Sequence, residues 1–476
     1  MNGQVTSASN VSAEFDGANL GDARRNKRLI RIVEALVKRP DVGFPQAMPA
    51  VSELEAFYRF VESDRVDFDA VLAPHVQATV ERMHAHPEVV VVHDTTEFRF
   101  TTQRDDLGRL RNDSERAKKG FLTHFALALS ADEARDPQGV VGAWPWLRSA
   151  NTPTAQRRAG MSYDAALESE QARWARGVLE VQTKVAEPGR VVHVMDSEAD
   201  DYALLTTLIK QSCRFVIRQC YDRRIDQPVS GRPGKMKAFV ETAKSVETRT
   251  VRVSPRRAVT GMKDRRRNLV RAGREATLSF SAASVTLRKP YTAVSDLPET
   301  LALNVVRVWE DNPPEEHEPI EWLLITREPI ETVEQIMRVV DLYRMRWVIE
   351  EFFKAIKSGC AFEKRQLESF GTLAVALALF VPIAWFLLRL RSSARSLPSA
   401  PAITIVDSVQ LEVLRRASNN RLPSVPTVRD VLLAIARLGG HLERNGEPGW
   451  QTLGRGYEDL RMLEAGFRLA MRSDQS

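Results

Sequence analysis

Two short stretches, PEVVVVHDTTEF around Asp94 and GRVVHVMDSEADDYALLTTLIK around Asp196, constrain the fold of this chain more than any other feature. Each opens on an apolar run rich in β-branched residues, without polar alternation, as in a strand buried on both faces. Each run ends on an aspartate, and in sheets of this kind ligand and metal sites form at strand ends. A single such aspartate more often starts a turn or caps a helix than does chemistry, and Ser197 could equally cap a helix beginning near Ala199. Two of them shift the balance towards a site without deciding it.

The segment DLYRMRWVIEEFFKAIKSG adds a third carboxylate. On a helix turning about 100° per residue, Tyr343, Arg346, Glu350, Lys354 and Lys357 share an arc of roughly 80°, with Met345, Val348, Ile349, Phe352 and Ile356 on the far side. Glu350 lies between Arg346 and Lys354, whereas Glu351 points about a quarter turn away. This makes Glu350 the better ligand candidate; the alternative is an exposed ladder of four-residue ion pairs, each worth a few tenths of a kcal/mol. Three carboxylates from two strand ends and a helix suit a hard divalent cation, Mg²⁺ or Mn²⁺, with coordination positions left for water and phosphate. Two such ions would serve an in-line displacement at phosphorus, with Arg346, Lys354, Lys357 and Tyr343 holding the phosphate backbone. Neither GxxxxGK[ST] nor GxGxxG occurs, so no nucleotide cofactor is expected.

Composition narrows the class. A chain of 476 residues, 43% hydrophobic and 27% charged, has room for about three domains and a sizeable core. Three cysteines, Cys213, Cys220 and Cys360, make neither a disulfide framework nor a CxxC zinc site, and the N-terminus has no basic region leading into an apolar run, so a cytoplasmic location is expected. LAVALALFVPIAWFLL, from Leu373 to Leu388, is sixteen residues against the roughly 20 that a membrane span needs and contains Pro382; it reads as a buried core helix, with no membrane partner.

The net charge of +6 is modest but clustered. Asp22 can cap a helix whose apolar stripe, Leu29, Ile30, Ile32, Val33 and Leu36, leaves Arg24, Arg25, Lys27, Arg28 and Arg31 largely on the wet side, a surface for phosphate or simply for solvent. From Arg249 to Arg274 there are ten Lys or Arg residues, among them Arg265, Arg266 and Arg267, with Asp264 the sole acid; this reads as a loop between strands VETRTVRV and ATLSFSAASVTL. Nucleic acid is the partner such a block suits, a solubilising loop the alternative.

DTT at Asp94, DSEAD at Asp196 and the Y-x2-R-x3-E-x6-K spacing of Tyr343, Arg346, Glu350 and Lys357 resemble the DDE transposases of the insertion-sequence-four group. LGDARR, AFYRFVES, EWLLITREPIE and AIARLGGHLERNGEPGW extend the resemblance over nearly the whole chain. The resemblance implies an α/β fold: a ribonuclease-H-like catalytic core with a mostly β insertion, flanked by helical N-terminal and C-terminal domains. On this reading 1–72 is a helical DNA-binding domain, 73–372 the catalytic domain with its insertion at about 215–328, and 373–476 a helical dimerisation domain. It also implies that Asp94, Asp196 and Glu350 are the catalytic, metal-binding triad for two Mg²⁺ ions, with Mn²⁺ able to substitute. Arg24, Arg25 and Arg28 would bind DNA, and Trp322 would stack on a base flipped out of a hairpin, although a tryptophan leading an apolar strand is otherwise core. The implied activity is cut-and-paste transposition of double-stranded DNA by a bacterial, nucleoid-associated homodimer, through a hairpin intermediate and joining of 3′ ends to target DNA. A catalytically idle inhibitor of transposition and a metal-dependent endonuclease without strand transfer are the rival readings.

Overall fold

The computed structural model describes residues 11–38, 40–100, 106–110, 119–148, 172–229, 232–253, 273–291, 293, 296–315, 319–418, 422–442, 444 and 446–473. In chain order the helices are α1 Ala23–Lys38, α2 Phe44–Ala47, α3 Val51–Val61, α4 Phe68–His84, α5 Arg173–Lys184, α6 Tyr202–Lys210, α7 Met236–Val240, α8 Val333–Arg344, α9 Trp347–Lys354, α10 Phe370–Ser396, α11 Ser408–Ala417, α12 Val428–Leu438 and α13 Trp450–Ser473. The strands are β1 Val89–Arg99, β2 Gly108–Arg109, β3 Lys119–Ser130, β4 Pro137–Trp146, β5 Val191–Met195, β6 Arg214–Arg218, β7 Arg224–Val229, β8 Arg232–Lys235, β9 Glu247–Val253, β10 Arg274–Arg288, β11 Thr300–Glu310 and β12 Glu321–Thr326. The chain divides into two compact units. One comprises Met1–Thr152, Leu179–Ala186 and Trp347–Ser476; the other comprises Pro153–Val178 and Glu187–Arg346.

In the first unit, β1 pairs antiparallel with β3 along its whole length, from Val89 opposite Ser130 to Arg99 opposite Gly120, and β3 pairs onward with β2 and β4. This corrects the expected strand end at Asp94. The sequence after it, TTEFR, keeps enough β-branched and alternating character to continue the ladder, so Asp94 stands mid-strand opposite Phe125.

The apolar segment expected to be a core helix is the middle of α10, which starts at a capping box between Ser369 and Thr372 and packs on α4 and β4. Its full 27 residues are long and apolar enough to cross a membrane, so the length argument does not hold. Burial decides instead: 94% of its most apolar 18-residue window is buried. The basic helix forms as α1. The Asp22 carboxylate accepts from the Arg24 N–H at 2.7 Å, and Leu29, Ile32, Val33, Leu36 and Val37 are buried. Ile30 is only half-buried.

A buried polar network joins the 3-10 turn Val11–Phe15 to α4 and β4. His75 Nδ1–H donates to Glu14 Oε2 at 2.5 Å, and its Nε2 accepts from the Val140 N–H at 3.1 Å, an arrangement that assigns a neutral ring. Arg82 donates to both oxygens of Glu14, at 2.8 and 3.1 Å, and lies 4.4 Å over the Trp385 ring. Burial raises the Glu14 pKa, but His75 and Arg82 outweigh it and bring the carboxyl down to about 2; burial lowers that of His75 more than Glu14 raises it. Both folded values lie below the ordinary ones, so the unfolded chain binds more protons as pH falls, and the stability both groups contribute is lost in acid. Melting temperature should therefore decline below about pH 6.5, chiefly through His75, and more steeply from about 4.5 towards 2 through Glu14. Glu14→Gln should lower the melting temperature near neutrality and flatten the lower part of this decline; an acid limb identical to wild type would refute the assignment.

In the second unit, β5 and β6 are parallel neighbours linked through α6, and the ladder continues antiparallel through β12, β11 and β10. The long strand β10 is shared: its first half pairs with β9 and Leu287 pairs with Ile225 of β7. From 214 to 326 the described chain is mainly strand, with the short α7 as its helix, and Leu205, Phe215, Ile217, Ile325 and Val305 lie in the core. The two strands flanking the basic block pair with each other as β9 and β10, as the sequence suggests. Arg265, Arg266 and Arg267 lie outside the described residues.

Candidate active site

The expected helical arc does not form as one piece. Helix α8 ends at Arg344. The N–H groups of Met345 and Arg346 then bond back three residues, to Leu342 and Tyr343, tightening the chain into a turn before α9. The side chain of Met345 is buried at this turn. After Lys354 the helix loosens into a π-turn over Ala355–Gly359, where the Cys360 N–H reaches back five residues to Ala355. Tyr343 and Arg346 thus belong to the second compact unit, and Glu350, Lys354 and Lys357 to the first.

In the first unit, α9 packs on β1 and carries Glu350, which is half-buried, as is Asp94 on β1. One oxygen of Asp94 accepts from the Thr95 N–H at 2.7 Å. Glu351 is held by Arg395 of α10 at 2.9 and 3.0 Å, so the neighbour that the helical geometry disfavoured serves an ion pair. Lys357 is half-buried, with its ammonium 5.6 Å over the Phe98 ring. Burial pulls its pKa below the ordinary lysine value, Glu363 and Glu97 opposing and Arg99 assisting. Lys354 is exposed. Trp347, three residues before Glu350, is 58% exposed.

In the second unit, Asp196 follows β5 directly, as expected, and caps a 3-10 turn, Ser197–Ala199, accepting from the Glu198 N–H at 2.9 Å. Asp201, and not Ser197, caps the helix that follows. Tyr343 is only 5% exposed, and its ring meets that of Trp322 edge-on at 5.5 Å. Trp322 is half-buried on β12, so this aromatic is neither a plain core residue nor a fully open plate. Burial raises the Tyr343 pKa, Arg346 and Arg218 oppose it and Asp196 adds to it, so the phenol stays protonated and able to donate a hydrogen bond. Arg218, which ends β6, is near enough to oppose that rise and donates to the Glu321 carbonyl at 3.5 Å. Its signal in the sequence is a charge closing the apolar run FVI, Phe215–Ile217.

On α1, Arg24, Lys27 and Arg31 are exposed, whereas Arg25 donates to the Leu20 carbonyl and Arg28 pairs with Glu53 at 3.2 Å. Asp94 and Glu350 in the first unit and Asp196 in the second each offer carboxylate oxygen, the donor type a hard divalent cation takes. Among the described residues no group of three or more His, Cys, Asp and Glu side chains stands ready to hold an ion.

Residues 7–66 match the family model described as Transposase DNA-binding, and residues 181–381 match that described as Transposase DDE domain. The second range contains Asp196, Trp322 and the whole span from Tyr343 to Lys357, and begins after Asp94. Among solved structures, a cryo-EM structure of the piggyBac transposase synaptic complex with hairpin DNA is similar over 90% of this chain and 79% of that one. Its identity is 10% and its TM-score 0.34, too loose a likeness to relate individual elements.

Proposed function

We propose that this chain, which carries a transposase DNA-binding domain and a DDE transposase domain, is a cut-and-paste DNA transposase of the insertion-sequence-four group. One observation carries the reading: the DDE match spans Asp196 and the full Y-x2-R-x3-E-x6-K signature. The domain limits 1–72, 73–372 and 373–476, with the insertion at about 215–328, are part of the proposal, as is action on bacterial DNA in the cytoplasm.

Asp94, Asp196 and Glu350 would hold two Mg²⁺ ions, or Mn²⁺ in their place. When bound, such ions activate a water or 3′-hydroxyl and stabilise the leaving oxygen at phosphorus. Arg346 and Lys354 bring positive charge to the DNA backbone. Lys357, partly desolvated, engages phosphate more strongly than an exposed lysine because less water screens it. Tyr343, kept protonated, donates a hydrogen bond. Trp322 supports a base extruded from the hairpin, with Tyr343 bracing its ring from the side. Arg24, Arg25 and Arg28 of α1, together with Arg265, Arg266 and Arg267, contact phosphates of the transposon ends, and two subunits act together on paired ends before joining them to target DNA.

The test is an incubation with Mg²⁺ or Mn²⁺ and a labelled duplex carrying the element's terminal repeat, resolved on a denaturing gel beside Glu350→Ala. Hairpin and joined products that require both metal and Glu350 are the expected result. Nicks alone would replace the reading with an endonuclease, and binding without cutting would replace it with an idle inhibitor.

A further inference from the structure

The segment DSEADD places four carboxylates within six residues, and the structure gives each a separate task. Asp201 caps α6, accepting from the N–H groups of Ala203 and Leu204 at 2.9 and 3.2 Å. Glu198 pairs with Arg173 at 2.9 Å. Asp196 caps the 3-10 turn through one oxygen. Asp200 is buried completely, its side chain 0% exposed and that of its partner Arg223 6%.

The bonds of Asp200 run to the segment after β6. Its Oδ2 accepts from the backbone N–H groups of Cys220 and Tyr221, at 2.7 and 2.9 Å. Its Oδ1 accepts from Nε and Nη2 of Arg223, at 3.1 and 2.6 Å, and Arg223 Nη2 also donates to the Asp200 carbonyl at 2.7 Å. The turn is closed on itself by the Ala199 N–H, which donates to the Asp196 carbonyl at 3.2 Å, and the clamp to the β6–β7 loop holds its Asp200 end. A buried charge pair is a poor way to gain stability, since apolar residues of similar volume do as well or better; what it supplies is a unique geometry. This geometry bears on Asp196, because a carboxylate four residues from a rigid anchor, on a one-turn 3-10 helix, has little freedom to swing.

We infer that Asp200 is a positioning residue: its clamp on the loop after β6 fixes the turn that presents the Asp196 carboxylate to a divalent cation. The inference rests on the proposed role of Asp196 as a metal ligand. Supporting partners of metal ligands typically govern affinity by about 10–100-fold when removed.

The test is Mn²⁺ binding to the full chain, followed by the loss of the free-ion paramagnetic resonance signal, so no catalytic turnover is read. Wild type is compared with Asp200→Asn, with Arg223→Lys, which keeps the charge pair but loses the fork, and with Leu205→Ala, a cavity in the core of the same unit. Asp196→Ala serves as the ligand control. The expected result is binding weakened about tenfold in the two clamp variants while they remain folded by circular dichroism, with Leu205→Ala unchanged. Should Asp200→Asn not fold, Arg223→Lys carries the comparison. Clamp variants that bind as wild type, or no worse than Leu205→Ala, overturn the inference and leave the role of Asp196 standing. A wild type that binds no Mn²⁺, or binding that survives Asp196→Ala, overturns the metal-ligand reading and the inference together.

Discussion

Asp196→Ala should abolish strand cleavage while leaving terminal-repeat binding intact, a fall in rate of more than about a thousandfold, or about 4 kcal/mol of transition-state stabilisation. The contrast follows from where the side chain sits. Asp196 lies just past β5 and its carboxylate accepts locally, from the Glu198 N–H, so its removal leaves the strand and the α6 cap at Asp201 in place. The helix α1, with its exposed Arg24, Lys27 and Arg31, belongs to the other compact unit and would keep its grip on DNA. A native gel measures binding and a denaturing gel cleavage on the same samples. Cleavage persisting in Asp196→Ala would sink the triad assignment; loss of both together would show that the residue supports the fold.

The second large effect is on stability. Arg365 is almost fully buried, and its guanidinium donates to three backbone carbonyls, those of Pro40, Val42 and Cys360. It also lies between two rings, 5.3 Å from Phe44 and 4.5 Å from Phe380. Burial lowers its pKa to about 10, against the pull of Cys360 and Asp41, which still leaves it charged at neutral pH. Arg365→Met would fill much of the same space but strand those carbonyls without donors, at a cost on the order of 3 kcal/mol or more. Arg365→Lys, a point charge without the planar fork, should fall between the two. Calorimetric melts of the three proteins decide it: a melting temperature unchanged in Arg365→Met would mean that water or backbone shifts satisfy the carbonyls.

Much of this molecule was legible in local pattern. The continuous apolar runs before Asp94 and Asp196 are strands, the stripe from Leu29 to Leu36 is the buried face of α1, and Asp22 caps it, because burial periodicity and capping depend on residues within one turn of each other. Glu351 turns to Arg395, as its quarter-turn offset from Glu350 allows, since an angular difference within one helical turn survives in α9. Other expectations failed where a distant partner overrode the local pattern. Asp94 is mid-strand because β3 offers a ladder along all of β1. The signature helix breaks at Met345 and Arg346, where a tight turn replaces the regular ladder and an apolar side chain is buried.

Chemical inventory and local form are written in the chain: three carboxylates, a basic helix, an apolar helix and the spacing from Tyr343 to Lys357. Which charges are already occupied follows from the packing of distant segments. Glu14 with His75 and Arg82, Arg365 with the carbonyls near residue 40, and Asp200 with Arg223 join positions 23 to 325 residues apart. Their partners are chosen by packing and desolvation, and a hydrogen bond across such a separation leaves no periodic trace in the chain.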